Sequence, residues 1–218
     1  MMMDLNGKVV LVTGAGRGQG RSLALKLAAQ GAILALNDIS PLNVDEVAGQ
    51  IIASGGQAHV YLHDVAKKVA VQSLVNQVLD AHGRIDILIN HANVQPPAGL
   101  LAMDEWDLHR VFEVNTIGVF LMMQSVGRVM REQGSGLMIN LLGGLETLPS
   151  AAGFASQWAV AGLTRRAAAE LSTSQIRVYA LACGWAAPDV FFSSAEETVL
   201  ALCGSQQIPT GSILGLSA

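Results

Sequence analysis

Val12-Thr13-Gly14-Ala15-Gly16-Arg17-Gly18-Gln19-Gly20 lies between an apolar run, Val9-Val10-Leu11-Val12, and the helical spacing of Leu23, Ala24, Leu25, Leu27 and Ala28. A buried strand, a glycine turn and a helix start in that order form a cradle for the phosphates of a dinucleotide. Glycines let backbone N–H groups approach a pyrophosphate closely. The helix start adds donors that lack intrahelical partners and the positive end of the helix dipole. Asp38 ends the next apolar run, Ala32–Asp38, at the place where a carboxylate accepts from ribose hydroxyls.

Outward from this segment, strand and helix patterns alternate. They predict a doubly wound parallel sheet of about seven strands, covered on both faces, in a single Rossmann-type domain over 1–218. Gly31 reads as the cap of the first helix. Ser40-Pro41 opens the next, with serine as N-cap and proline in the first turn, and Gly55-Gly56 ends it. Ala58–Leu62, Ile85–Asn90, Leu137–Leu142, Ile176–Ala182 and Ser212–Leu216 read as further strands. Helical spacing covers Lys67–His82, Asp104 through Gln124 and beyond, Ala151 to Ser172 and Ala195 to Cys203.

Composition narrows the function classes. The 218 residues are 51% hydrophobic and only 14% charged, enough for a sizeable core. Polar residues interrupt every long apolar run; Ile117–Met123, one of the longest, is far too short to span a bilayer. Met1-Met2-Met3-Asp4 lacks the basic and apolar regions of a signal peptide, so a cytoplasmic location is expected. A net charge of −4 without a basic stripe argues against nucleic acid as a partner. Cys183 and Cys203 fall outside metal-ligand spacings and read as reduced thiols, with no metal site expected.

The motifs together resemble the short-chain dehydrogenase/reductase family. Thr13-Gly14, Gly18 and Gly20 match its cofactor turn, and Asp64-Val65 its adenine-contacting pair. Asn90 and Ala92 match two positions of its Asn-Asn-Ala-Gly motif, where His91 and Asn93 depart from it. Asn115 matches the helical asparagine of the catalytic tetrad, which also kinks its helix in relatives. Ala159-Val160, Gly162-Leu163-Thr164-Arg165, Ile176-Arg177-Val178 and Thr210-Gly211 extend the match over nearly the whole chain. The resemblance implies a nicotinamide dinucleotide as cofactor and a homodimer or homotetramer. It places Gly14, Gly16, Arg17, Gly18, Gln19, Gly20, Asp38, Asp64, Val65, Asn90, Ala92 and Gln157 at the cofactor. Asp38 favours NAD, because a carboxylate beside the ribose repels the 2′-phosphate of NADP. Arg17 argues the other way unless it pairs with Asp38.

The same resemblance implies a tyrosine proton donor, a lysine four residues later and an upstream serine that binds the carbonyl oxygen. Alignment through Gly162-Leu163-Thr164 puts Gly153 at the tyrosine and Gln157 at the lysine, and the serine falls within Asn140–Gly144, around Gly143. The only tyrosines are Tyr61 and Tyr179, and the only lysines are Lys8, Lys26, Lys67 and Lys68, so no Tyr-x-x-x-Lys pair exists in any register. Glycine has no proton to give, and a neutral glutamine cannot depress a neighbour's pKa by charge. Gln157 keeps the ability to bond a ribose hydroxyl. The substrate lid of relatives also reads as largely deleted, since Gly184-Trp185 is followed closely by Ala195-Glu196-Glu197, with Phe191-Phe192 in the bridge.

Three readings stand at this stage. One is a dinucleotide-binding pseudoenzyme. A second is a divergent oxidoreductase with another acid among His91, Glu146, Ser150 and Ser156. The third is a structural partner with no nucleotide bound.

Overall fold

The computed structural model describes residues 5–143, 150–183, 190–204 and 207–216. Strand β1 (Val9–Thr13) is buried along its whole length, as expected for a strand with neighbours on both edges and helices on both faces. Its alternate side chains serve two cores. Val9 and Leu11 join the apolar cluster on one face, and Val10 and Val12 join the cluster on the other.

The other elements are α1 (Gly18–Ala28), β2 (Ile33–Asp38), α2 (Pro41–Ala53), β3 (Gln57–Leu62), α3 (Lys68–His82), β4 (Ile87–Asn90) and α4 (Glu105–Phe112). A π-helical turn, Glu113–Gly118, then leads to α5 (Val119–Gln133), β5 (Gly136–Leu142), α6 (Ala151–Leu171), β6 (Ile176–Cys183), β7 (Val190–Phe192), α7 (Ala195–Gly204) and β8 (Ile213–Leu216). Residues of α1, α2 and α7 line one core, and residues of α3, α5 and α6 the other. Among the described residues no helix is long and apolar enough to cross a membrane.

All strand pairs are parallel, in the order β3-β2-β1-β4-β5-β6-β8-β7. The doubly wound parallel sheet read from sequence, with about seven strands, has eight. The added one, Val190-Phe191-Phe192, pairs with β8 at the sheet edge, and Phe192 packs against the core of the α1/α2/α7 face. Three residues are too few for a period-two pattern to register, although their β-branched and aromatic character suits a strand. The lid residues Gly184-Trp185 and the candidate Glu146 lie outside the described residues.

The cap of α2 differs from expectation. Pro41 does occupy the first turn of α2, but the Ser40 hydroxyl makes no capping bond. The Ser40 N–H instead donates to Asp38 Oδ1 at 3.0 Å. Ser150, by contrast, caps α6 as a serine should, its Oγ accepting from Gly153 N at 3.1 Å.

The strand order reverses between β1 and β4, because the chain goes from β1 outward to β3 and then crosses back. Ligands of doubly wound sheets bind in the crevice outside the strand C-termini at that switch point. Thr13 and Asn90 sit opposite each other there in register. The Thr13 hydroxyl oxygen accepts from both His91 N (3.1 Å) and Ala92 N (3.2 Å), which fixes the loop after β4 against the glycine turn.

Candidate functional site

At the switch point lies a cleft of about 400 Å³, built from the turns after β1, β2, β3 and β4 and from the α4 side. Gly14, Arg17, Gly18, Asp38, Asp64, Val65 and Ala92 line it, all expected there from sequence. Sequence reading had not placed Ile39, His63 or Arg110 on its wall, and they are there too.

The glycines have separate jobs. Gly14 has φ +63°, and a Cβ on it would lie 2.8 Å from Ala92 Cα. A Cβ on Gly20 would lie 2.4 Å from Gly14 O and 2.5 Å from His91 Nδ1. Gly20 thus lets α1 close onto the turn, which brings the first-turn donors of the helix to the cleft. Gly16 donates its N–H to Asp38 Oδ2 at 2.9 Å.

Asp38 therefore takes one backbone donor on each carboxylate oxygen, and each oxygen keeps a further lone pair for a ribose hydroxyl. The Arg17–Asp38 ion pair that the sequence left open does not form among the described residues. Arg17 is exposed at the cleft, where a phosphate could meet it. Asp64 is fixed from two sides: Ala66 N donates to Oδ1 at 3.0 Å, and Arg110 Nη1 lies 3.1 Å from Oδ2. It does not cap α3, whose N-cap is Lys67.

His91 is wedged under the glycine turn, with Nδ1 2.9 Å from Gly14 O. A carbonyl only accepts, so Nδ1 carries the proton and Nε2 is left as an acceptor. Burial pushes the His91 pKa below the ordinary histidine range; the Gly14 bond and Asp38 oppose this, and Arg17 adds to it. Its one proton is engaged with the backbone. Asn90 does not reach the cleft: its Nδ2 donates to Asn140 Oδ1 at 2.9 Å, and Asn140 Nδ2 donates to Thr164 Oγ1 at 2.9 Å, tying β4 to β5 and α6. Asn93 is on the wall and holds a buried Oδ1 without a partner among the described residues, an acceptor suited to a hydroxyl.

Asn115, Ser156 and Gln157 are all buried, each with a hydrogen-bond partner. Asn115 sits in the π turn, so the kink expected of that asparagine is present. Its amide clamps the loop after β4, with Val94 N donating to Oδ1 at 2.9 Å and Nδ2 lying 3.0 Å from Val94 O and 3.2 Å from Ser156 Oγ. Ser156 in turn donates to Gly153 O at 2.7 Å, so it serves helix α6. Gln157 is 3% exposed, and its Oε1 accepts from Gly143 N at 3.3 Å. The Gln157 side chain thus ties α6 to the backbone just after β5.

The Asn115 clamp is a structural prediction in its own right. Asn115→Ala leaves the Val94 N–H and C=O and the Ser156 hydroxyl short of partners, and should lower unfolding free energy by about 1–3 kcal/mol. A denaturant midpoint equal to that of the parent protein would remove Asn115 from this role.

Comparison with known proteins agrees with the geometry. A family model described as short chain dehydrogenase matches residues 8–198. A 3-oxoacyl-(acyl-carrier-protein) reductase of Synechocystis is 36% identical over 203 residues, covering 91% of this chain and 82% of the relative. Among solved structures, a metagenomic short-chain oxidoreductase in complex with NADP superposes with a TM-score of 0.88 at 29% identity, covering 98% of this chain and 99% of its own. An NAD+-bound xylitol dehydrogenase superposes with a TM-score of 0.79 at 32% identity, covering 94% of this chain and 80% of its own.

Proposed function

The chain belongs to the short-chain dehydrogenase family, and on that premise we propose that it binds an adenine dinucleotide, NAD in preference to NADP, without the proton-transfer groups of carbonyl reduction. The observation that supports this most directly is the bond from Gly143 N to Gln157 Oε1. The positions that would hold a carbonyl oxygen and a second ribose are joined to each other.

Glycine at 153 adds no proton donor. His91 does not replace it, since its only proton lies against the Gly14 carbonyl. A bound nicotinamide would supply a hydride. This chain's own residues bind and orient: the glycine turn and first turn of α1 take the pyrophosphate, Asp38 takes ribose hydroxyls, and Asp64 takes the adenine amine. The NAD preference rests on charge. The Asp38 carboxylate, held in place by Gly16 and Ser40, stands where a 2′-phosphate would carry its own negative charge. The relatives bound to NADP and to NAD+ show that the fold accommodates either.

Calorimetric titration tests the reading. NADH is expected to bind at least about tenfold more tightly than NADPH. Asp38→Ala should weaken NADH by about ten- to a hundredfold and remove the preference, because a charged acceptor bond is lost and a repulsion is relieved. Equal affinities in the parent protein would contradict the preference. If neither nucleotide binds, the chain is a structural partner.

A further inference from the structure

We infer that the cleft takes up a proton together with its anionic ligand, and that His91 is the side chain that receives the proton and bonds the diphosphate with it. The inference rests on the dinucleotide reading and adds to it a binding residue and a pH dependence.

His91 stands where the family motif carries its second asparagine, so the feature belongs to this chain. Its two ring nitrogens have different surroundings. Nδ1 lies 2.9 Å from the Gly14 carbonyl oxygen, which fixes the proton of the neutral ring there. Nε2 lies on the side of Gly18, the first residue of α1: a Cβ built on Gly18 would lie 3.7 Å from both Nε2 and Cε1. Gly14, Gly18 and His91 all line the cleft. The neutral ring therefore turns a lone pair toward the turn that would hold a diphosphate, and two acceptors repel each other. A second proton, on Nε2, makes that nitrogen a charged donor and leaves the Gly14 bond intact. The resulting bond to a phosphate oxygen is charge-assisted.

Without a ligand the ring is held neutral. Burial pushes the His91 pKa below the ordinary histidine range. The charged groups that face it are Asp38, at the end of β2, which opposes this, and Arg17, on the glycine turn, which adds to it. Gly18 and Gly20 of α1 and Ala92 after β4 pack on the ring and bring no side-chain charge, while the positive end of α1 acts in the same direction as Arg17. Asp64 and Arg110, also on the cleft wall, are paired with each other, and the remaining wall histidine, His63, has Nε2 3.2 Å from Gln77 Oε1 on α3. A bound diphosphate opposes the positive field and raises the His91 pKa in the complex, so that binding and protonation favour each other. Affinity is then lowest above the pKa of the complex. It rises as pH falls through that value and levels off below the pKa of the free protein.

The experiment is a calorimetric titration of the whole protein with NAD+, whose pyrophosphate keeps its full charge between about pH 6 and about pH 8. Two buffers of different ionisation enthalpy report the protons taken up. The parent should bind at least about fivefold more tightly at the lower pH, with net proton uptake, since full linkage to one proton gives about tenfold per pH unit. His91→Asn, which restores the residue of the motif, should change by less than about twofold between the two pH values and take up no proton. His63→Asn should keep the response of the parent whatever its own affinity. The His91 ring resonance reads the same protonation without a variant, and should titrate at higher pH with NAD+ than without it. Equal affinities at the two pH values, a response that survives in His91→Asn, or a ring titration that NAD+ leaves unmoved each overturns the inference alone. Binding of NAD+ at neither pH overturns the dinucleotide reading and this inference with it.

Discussion

Gly14→Val is expected to abolish measurable adenine-nucleotide binding, a loss of more than about a hundredfold, and to lower stability by about 2–4 kcal/mol. Gly14 adopts φ +63°, a region that a β-branched residue avoids. Its Cβ would also lie 2.8 Å from Ala92 Cα and 2.9 Å from Ala92 N. Those are backbone atoms of the loop after β4, so no rotamer change relieves the clash. The loop must move off the glycine turn, and the two bonds to the Thr13 hydroxyl oxygen, at 3.1 and 3.2 Å, are strained with it. A thermal melt and an NAD+ titration check both effects. Gly49→Ala is the control, since a Cβ there meets nothing within 4 Å in the middle of α2. It should bind like the parent and gain about 0.5–1 kcal/mol of stability. A Gly14→Val protein that melts and binds like the parent would refute the cradle geometry.

Much of this fold is legible in the chain because periodicity and punctuation coincide. Val9–Val12 reads as a strand with both faces buried, and β1 is such a strand. Gly83 and Gly134 stop α3 and α5 in the left-handed conformation (φ +72° and +74°) that few other residues adopt. Ile85 was read as the start of β4, yet the strand begins at Ile87. Ile85 is buried in the core while its N–H donates to Gln133 Oε1, so its apolarity reflects packing rather than sheet pairing. The helix read through Gln124 and beyond runs to Gln133, where Gly134 stops it.

The site was legible in identity and less so in contact. Its place at the end of a strand marks Asp38, and the family resemblance marks Asp64, but neither shows that two backbone donors hold the first and Arg110 the second. Arg110 comes from α4, far along the chain, and no local pattern marks a side chain that meets its partner only through the crossover. Asn90 carries the family signature but spends its amide inside the sheet on Asn140, because a polar side chain buried at a strand end bonds whatever the register places opposite it. His91 shows the same limit in reverse. Its chemistry suggests an acid, and only the geometry shows the ring pinned beneath Gly14.

The proposed lack of proton-transfer groups gives the second large expectation. A positioned general acid contributes about 10²–10⁴ in rate and an oxyanion donor about 10²–10³ more. The resemblance sets Gly153 and Gln157 at the tyrosine and lysine positions and the serine around Gly143; Gln157 and Gly143 are bonded together at 3.3 Å. On the proposed reading, Gly153, Gln157 and Gly143 give a carbonyl oxygen no proton even with a reduced nicotinamide seated in the cleft. The direct measurement is nicotinamide absorbance over hours, with protein in excess of NADH and ketones, aldehydes and 3-oxoacyl thioesters supplied in turn. The account predicts a trace no different from NADH and carbonyl without protein. A protein-dependent, first-order loss of reduced nicotinamide that disappears in Gly14→Val would contradict it.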